Sequence, residues 1–177
     1  GLMQRLVIRH RGAESGGGFE VQRVDGRGAK TAPAVPLDDP LSRALPDTAA
    51  RLGEELVWYL ESYLDYPYGP HQNRAERVQA ALQCWGEETF TTLFGQGQAR
   101  DDYRDATRHG HGELQLAIVS DTPRILSWPW EALRDPQVGD LAQHCRIDRQ
   151  LDSVADPPLP AGLSSERVGI LLVTARP

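Results

Sequence analysis

A chain of 177 residues with a net charge of −6 and 40% hydrophobic residues is long enough for one core and has the composition of a globular protein. No run approaches the ~18 apolar residues of a membrane span, and the start GLMQRLVIRH lacks the apolar segment of a secretory signal. Its two cysteines are too few for a disulfide framework. We therefore expect a cytoplasmic protein with one domain over residues 1–177.

Charge is distributed unevenly along the chain. Residues 1–30 contain six basic and three acidic side chains, so this part carries +3 and the remainder −9. A nucleic-acid-binding surface requires a denser basic stripe, and the pattern instead predicts a solvated hairpin with no nucleic-acid partner. The single lysine, Lys30, against 18 arginines is typical of a GC-rich bacterial genome.

The first part of the chain predicts a hairpin followed by a connector. Residues 4–8 and 19–24 alternate as strands do and are separated by a glycine-rich turn, so we expect a β-hairpin over 1–25. The three consecutive glycines lack the lysine of a phosphate-binding loop, and no cofactor is expected. Four prolines make 26–46 a connector with one turn near residue 39, and 47–177 is expected to be the α/β body.

Two amphipathic helices are predicted next. The first opens at Asp47 or Thr48 and ends before Pro67, and the second spans 74–94. Cys84 lies beside the apolar face of the second helix and is predicted to be a small core residue.

The polar, glycine-bounded segment 95–112 is predicted to be a loop. His109 and His111 could in principle bind a metal, but no third ligand is near in the sequence, and we expect turn residues and no metal.

The clearest pattern in the chain lies in residues 113–136. Alternating apolar residues predict a strand over 114–119, after which residues 120–123 can cap a helix or tighten a loop. Because Pro129 restricts the residue before it, 125–128 is expected to be extended or irregular, and a short helix opens at Pro129. Trp130, in that helix, is predicted to be a buried anchor.

The last part of the chain completes the predicted sheet. Residues 141–154 predict a hairpin or a long bent strand, and 168–174 is apolar on both faces, as a parallel strand covered on two sides must be. The predicted fold is α/β, a mixed sheet with flanking helices. Strands 114–119 and 168–174 share that sheet, and the helices near 48–64 and 74–94 pack against it.

Residues 113–177 resemble the CHAT-domain family of caspase-like cysteine peptidases (clan CD type). The likeness consists of a strand, a proline, aliphatic residues leading into Pro-Trp-Glu and Asp-Pro, and a later strand that ends in Ala-Arg-Pro. The residues that carry it are Leu116, Ile118, Pro123, Ile125, Leu126, Pro129, Trp130, Glu131, Leu133, Asp135, Pro136 and the run from Val168 to Pro177.

The resemblance implies that the chain is the N-terminal part of a caspase-like α/β sandwich, with a His/Cys dyad on strands beyond Pro177. Within the chain, His144 and Cys145 are adjacent, and in a strand their side chains would point to opposite faces, so both are predicted to be structural. No catalytic residue is therefore predicted here. Arg176, at the carboxyl end of the last strand, is the predicted substrate-binding residue.

Two functions stay open. The chain is either the N-terminal half of a cysteine endopeptidase domain, inactive alone and partnered by the rest of that domain, or a non-catalytic module that binds another protein. The apolar edge beside 168–173 predicts self-association. Neither function calls for a membrane partner.

Overall fold

The structure is a computed structural model that describes residues 3–12, 18–25, 28–46, 48–65 and 67–152. It is an α/β fold in which a mixed sheet is flanked by helices, as predicted. The strands are β1 (Gln4–His10), β2 (Phe19–Asp25), β3 (Gly28–Thr31), β4 (Leu114–Ser120), β5 (Arg134–Asp135), β6 (Gly139–Asp140) and β7 (Arg146–Leu151). The helices are α1 (Leu52–Trp58), α2 (Gln72–Phe94), α3 (Gly97–Ala106) and α4 (Pro123–Leu126).

The main sheet has the strand order β3-β2-β1-β4-β7. The predicted hairpin is confirmed, since β1 and β2 pair antiparallel with His10 opposite Phe19. On its other side β1 runs parallel to β4, and β4 runs parallel to β7. The hairpin thus extends a parallel sheet. Strand β3 pairs antiparallel with β2 at the outer edge of the sheet, although it lies in the segment that was expected to be a connector.

One face of the sheet carries the main core. The strand residues of the core alternate along β1, β2 and β4, and α2 and α3 cover them with aromatic side chains. The largest of these buried side chains, at 0–2% exposure, include Leu6, Ile8, Val21, Trp85, Leu116, Ile118 and Trp130. The helix predicted over 74–94 therefore packs against the sheet as expected.

The first helix begins later than predicted and packs elsewhere. Thr48 and Ala49 lie in a bend, the Leu45 amide donates to the carbonyl of Ala50, and α1 starts at Leu52. Leu52 packs with Val78 and Ala81 of α2 in a cluster separate from the main core. The expectation that this helix lies on the sheet was wrong, because the apolar inner face of α1 packs on α2 instead. A π-helical turn, Tyr59–Tyr63, continues α1.

Helix α3 lies in the segment predicted to be a loop. Its buried residues include Ala99, Tyr103 and Ala106, at i, i+4 and i+7 spacing. Two of these are alanines, which contribute little to a hydrophobic pattern, and glycines bound the segment. The helical signal was therefore weak in the sequence.

Residues 125–128 were predicted to be extended or irregular, but Ile125 and Leu126 belong to α4, which begins at Pro123. Ser127 and Trp128 follow it as a turn and a bend. The amide of Ile125 donates to the Thr122 carbonyl at 3.1 Å and Ser127 to the Pro123 carbonyl at 3.0 Å. Pro123 supplies the first helical residue, and the restriction imposed by Pro129 acts only on its immediate predecessor.

Of the two alternatives predicted for 141–154, a hairpin or a long bent strand, the hairpin was wrong, and the described part of this segment contains one strand. A 3-10 turn, Leu141–Gln143, leads into β7, which pairs with β4, a strand that ends more than 20 residues earlier in the chain. The segment 168–174 lies outside the described residues, as does Asp47, one of the two residues at which the first helix was predicted to open.

In the part of the chain that the structure describes, no helix combines the length and the apolar character needed to cross a bilayer.

Candidate functional site

The Pro-Trp-Glu element forms a 3-10 turn, Trp130–Ala132, seated on the core. Trp130 is 0% exposed, and its indole Nε1 donates to the Ile125 carbonyl at 2.8 Å. Its ring stacks on Trp128 with centroids 5.6 Å apart and meets Trp85 of α2 edge-on at 5.9 Å. Since both the apolar ring and the polar N–H are satisfied, the predicted role of Trp130 as an anchor is confirmed.

Helix α2 approaches this turn backbone to backbone. A Cβ placed on Gly86 would lie 1.8 Å from the carbonyl oxygen of Ala132 and 2.8 Å from its carbonyl carbon. Real Cβ contacts are never this short, so only glycine allows the helix to lie this close to the Pro-Trp-Glu turn.

Glu131 connects the same turn to the edge strand β7. Its carboxylate accepts hydrogen bonds from both terminal nitrogens of Arg149. The Arg149 guanidinium also donates to the carbonyl of Leu126 at 2.7 Å and to that of Trp128 at 3.1 Å. Burial opposes the charged form of Glu131, but the hydrogen bonds and the charge of Arg149 outweigh it and lower the pKa of that carboxyl. One arginine therefore holds α4, the Pro-Trp-Glu turn and β7 together.

Neither cysteine is prepared for nucleophilic attack. Cys145 packs against the main core, and burial raises the pKa of its thiol to about 11. The reactive form of cysteine is the thiolate, which a pKa this high makes rare at neutral pH. His144 and Cys145 lie between a 3-10 turn and β7, not within a strand as supposed. The partly buried Cys145 fits the predicted structural role.

Cys84 is exposed, so its predicted place in the core was wrong. It lies on the flank of α2, where its thiol donates to Glu88 at 3.2 Å, and Glu88 also accepts from Arg43 at 2.9 Å. The hydrogen bond to Glu88 is the main cause that raises the pKa of the Cys84 thiol.

His109 lies exposed in a turn and His111 opens a 3-10 turn, as predicted, but the partly buried His111 also belongs to a hydrogen-bonded group. The Tyr103 hydroxyl donates to Asp135 at 2.8 Å and lies 2.8 Å from Nε2 of His111. An ionised carboxylate only accepts, so the imidazole donates to the hydroxyl. Among the described residues no group of three or more His, Cys, Asp or Glu side chains is arranged to hold a metal ion.

A cleft of about 290 Å³ lies where the carboxyl ends of the parallel strands meet. In open α/β sheets this edge is where ligands bind. Ser120 lies at the end of β4. Its hydroxyl accepts a hydrogen bond from the Thr122 amide at 3.0 Å and lies 2.9 Å from Nδ1 of His10. Ser120 is 0% exposed, so substrate cannot reach it as a nucleophile. The cleft is lined by Arg9, His10, Arg11, Gly12, Asp121 and Asp152.

Sequence reasoning missed this cleft. Its residues come from the ends of three strands that are far apart in the chain, and only the parallel pairing of β1 with β4 and β7 brings them to one edge. The one local signal was the polar run after the apolar residues of β4. The predicted substrate-binding residue Arg176 lies outside the described residues.

The stability of the protein is expected to fall at acidic pH. Burial lowers the pKa of His10 below its ordinary value near 6.5, and the charge of Asp121 opposes this only in part. Burial likewise lowers the pKa of His111. Both histidines therefore bind protons more readily in the unfolded chain than in the folded protein. Their contribution to the free energy of unfolding is complete above about pH 6.5 and is lost as the pH falls toward their lower pKa values in the folded protein.

The measurement is the urea midpoint at about pH 7.5 and about pH 5.5. His10→Gln should reduce the difference between the two midpoints, whereas the same change at exposed His109 should leave it as it is. A midpoint that rises on acidification would contradict the burial of the two neutral imidazoles.

Comparison of the chain with protein-family models, with curated proteins and with solved structures finds no match.

Proposed function

We propose that the chain is the N-terminal half of a caspase-like cysteine peptidase domain of the CHAT type, and that its role is to support a His/Cys dyad carried by sequence after Pro177. The chain alone is inactive in this proposal, and its partner is the remainder of the peptidase domain. Arg176, at the end of the last predicted strand, is proposed to line the substrate cleft of the whole domain.

The observation that carries the proposal is the contact between Glu131 and Arg149. It gives the Pro-Trp-Glu motif, the centre of the resemblance, a mechanical role, because the motif holds strand β7 against β4 through one guanidinium that also binds the carbonyls of Leu126 and Trp128. A peptidase dyad must be held to within a fraction of an ångström, which requires supporting strands that do not shift. The motif is thus suited to carry a catalytic half that follows it in the chain.

The two thiols of the chain favour a nucleophile located elsewhere. A cysteine peptidase needs a thiolate close to an imidazole. Burial raises the pKa of Cys145, and the bond to Glu88 raises that of Cys84, so each environment favours the unreactive thiol. Both cysteines are free in the structure, which fits the reducing cytoplasm of a bacterial cell as the proposed location.

The test uses the protein encoded by the whole gene, assayed against a mixed peptide library. Residues 1–177 contain only two cysteines, so the double variant Cys84→Ala, Cys145→Ala has none in this part. We expect cleavage that is abolished by alkylation with iodoacetamide and that persists in the double variant. The 177-residue chain should cleave nothing.

Two results would overturn the proposal. Cleavage that disappears in a folded double variant would place the nucleophile at Cys84 or Cys145. A whole protein that cleaves no peptide would contradict the peptidase function itself. The second result would support the alternative function, a non-catalytic module that binds another protein on the same scaffold. That alternative is favoured by apolar side chains exposed along α1 and the π-turn after it, Val57 at 54% and Leu60 at 61%.

A further inference from the structure

Helix α1 and its π-turn carry two groups of apolar side chains, one packed on α2 and one exposed. The inner side packs on α2 through Leu52, which is 0% exposed, together with Leu56 and Tyr59. The outer side presents Val57, Leu60 and Leu64, exposed by 54%, 61% and 51%. We call these three residues the outer stripe. Three large apolar side chains exposed within eight residues form an apolar patch, and such patches mark surfaces suited to a partner.

Acidic side chains flank the outer stripe. Glu54, Glu61 and Asp65 are exposed. Glu54 and Glu61 lie three or four residues from members of the stripe, which makes them its neighbours on a helical surface, and Asp65 directly follows Leu64. From Leu52 to Asn73 the sequence contains no lysine or arginine. We call these three carboxylates the acidic rim.

Side-chain contacts beside the outer stripe hold α1 and its π-turn in place. The Arg74 guanidinium lies 3.8 Å from the centre of the Trp58 ring and binds both carboxylate oxygens of Glu55, at 2.7 and 2.9 Å. Tyr63 stacks on Tyr59 at 5.4 Å and packs on Trp58 at 5.6 Å. Arg74 of α2 is thereby engaged by Glu55 and Trp58, and these contacts tie α1 to α2.

We propose that the outer stripe and its acidic rim form a docking site for a basic amphipathic helix of another protein. Val57, Leu60 and Leu64 follow at steps of three and four residues, as apolar residues do where two helices pack, and charges beside such a seam select the partner. The carboxylates beside the stripe call for lysine or arginine beside the apolar residues of the incoming helix. A second copy of this chain fits poorly, because a twofold axis would bring the two acidic rims together. The site is independent of the proposed peptidase function.

The probe is a synthetic peptide of about three heptads with leucine at positions a and d and lysine at positions e and g. The control peptide has the same sequence with glutamate in place of each lysine. We expect the protein to bind the lysine peptide, and more weakly as salt is added. Leu60→Ser with Leu64→Ser should weaken binding about tenfold or more, since these side chains form the centre of the contact. Val24→Ser with Val138→Ser, at exposed apolar positions outside the stripe, should not change it.

Charge reversal separates docking from diffuse attraction. Glu61→Lys with Asp65→Lys should abolish binding of the lysine peptide and permit binding of the glutamate peptide. Asp38→Lys with Asp101→Lys changes the net charge equally at exposed positions outside the rim and should have little effect. All variants alter exposed side chains, and unchanged thermal melting curves verify their folding.

Three results would overturn the inference. Equal effects of the two charge reversals would reduce the binding to net charge, and equal binding of both peptides would remove the role of the acidic rim. A protein dimer in sedimentation that becomes monomeric in the Leu60→Ser, Leu64→Ser variant would make a second copy the occupant.

Discussion

Replacing Trp130 with alanine is expected to lower the free energy of unfolding by about 3–5 kcal/mol, the usual range for truncating a buried aromatic residue. Trp130 is 0% exposed and contacts Trp85, Trp128 and Phe19, so the cavity would open between the sheet, α2 and the Pro-Trp-Glu turn. The indole N–H bond to Ile125 would be lost as well. The thermal midpoint should fall by roughly 10 °C for a chain of this size.

Trp130→Phe is the matched control. Phenylalanine keeps an aromatic ring in the site but loses the N–H donor and part of the volume, so its cost should be clearly smaller, about 1–2 kcal/mol. If Trp130→Ala melts at the temperature of the unchanged protein, Trp130 is not the anchor that its burial indicates.

Gly86→Ala is expected to destabilise the protein although alanine is the better helix former. Helix propensity alone favours alanine by about 1 kcal/mol. At this position, however, the added Cβ would lie 1.8 Å from the Ala132 carbonyl oxygen, which belongs to the backbone and cannot rotate aside. Helix α2 must therefore move away from the Pro-Trp-Glu turn, at a cost of about 1–3 kcal/mol or more.

The sign of the change is the test, read from urea denaturation midpoints. Gly112→Ala serves as the control, because a Cβ there meets nothing within 4 Å, and its effect should stay within about 0.5 kcal/mol. A Gly86→Ala protein more stable than the parent would show that α2 and the turn do not touch as closely as described.

Elements with a strong local pattern could be predicted from the sequence. The strands near 4–8, 19–24 and 114–119 and the helix near 74–94 are all present with shifts of a few residues at their ends. Their side chains repeat with the period of the backbone itself, two residues for a strand and 3.6 for a helix, and that period can be read without knowing the neighbours. The burial of Trp130 followed from its size and its position between two prolines.

Contacts between distant parts of the chain could not be predicted in this way. No pattern in β1 indicates that its second neighbour is β4, a strand that begins more than 100 residues later. The cleft lined by His10 and Asp121 depends on that pairing. The exposed position of Cys84 likewise depends on what packs beside α2. Glu131 and Arg149 could not be recognised as partners either, since they meet only because β7 lies parallel to β4. Strand pairing and ion pairing are set by the free energy of the whole assembled sheet, which no local window of sequence contains.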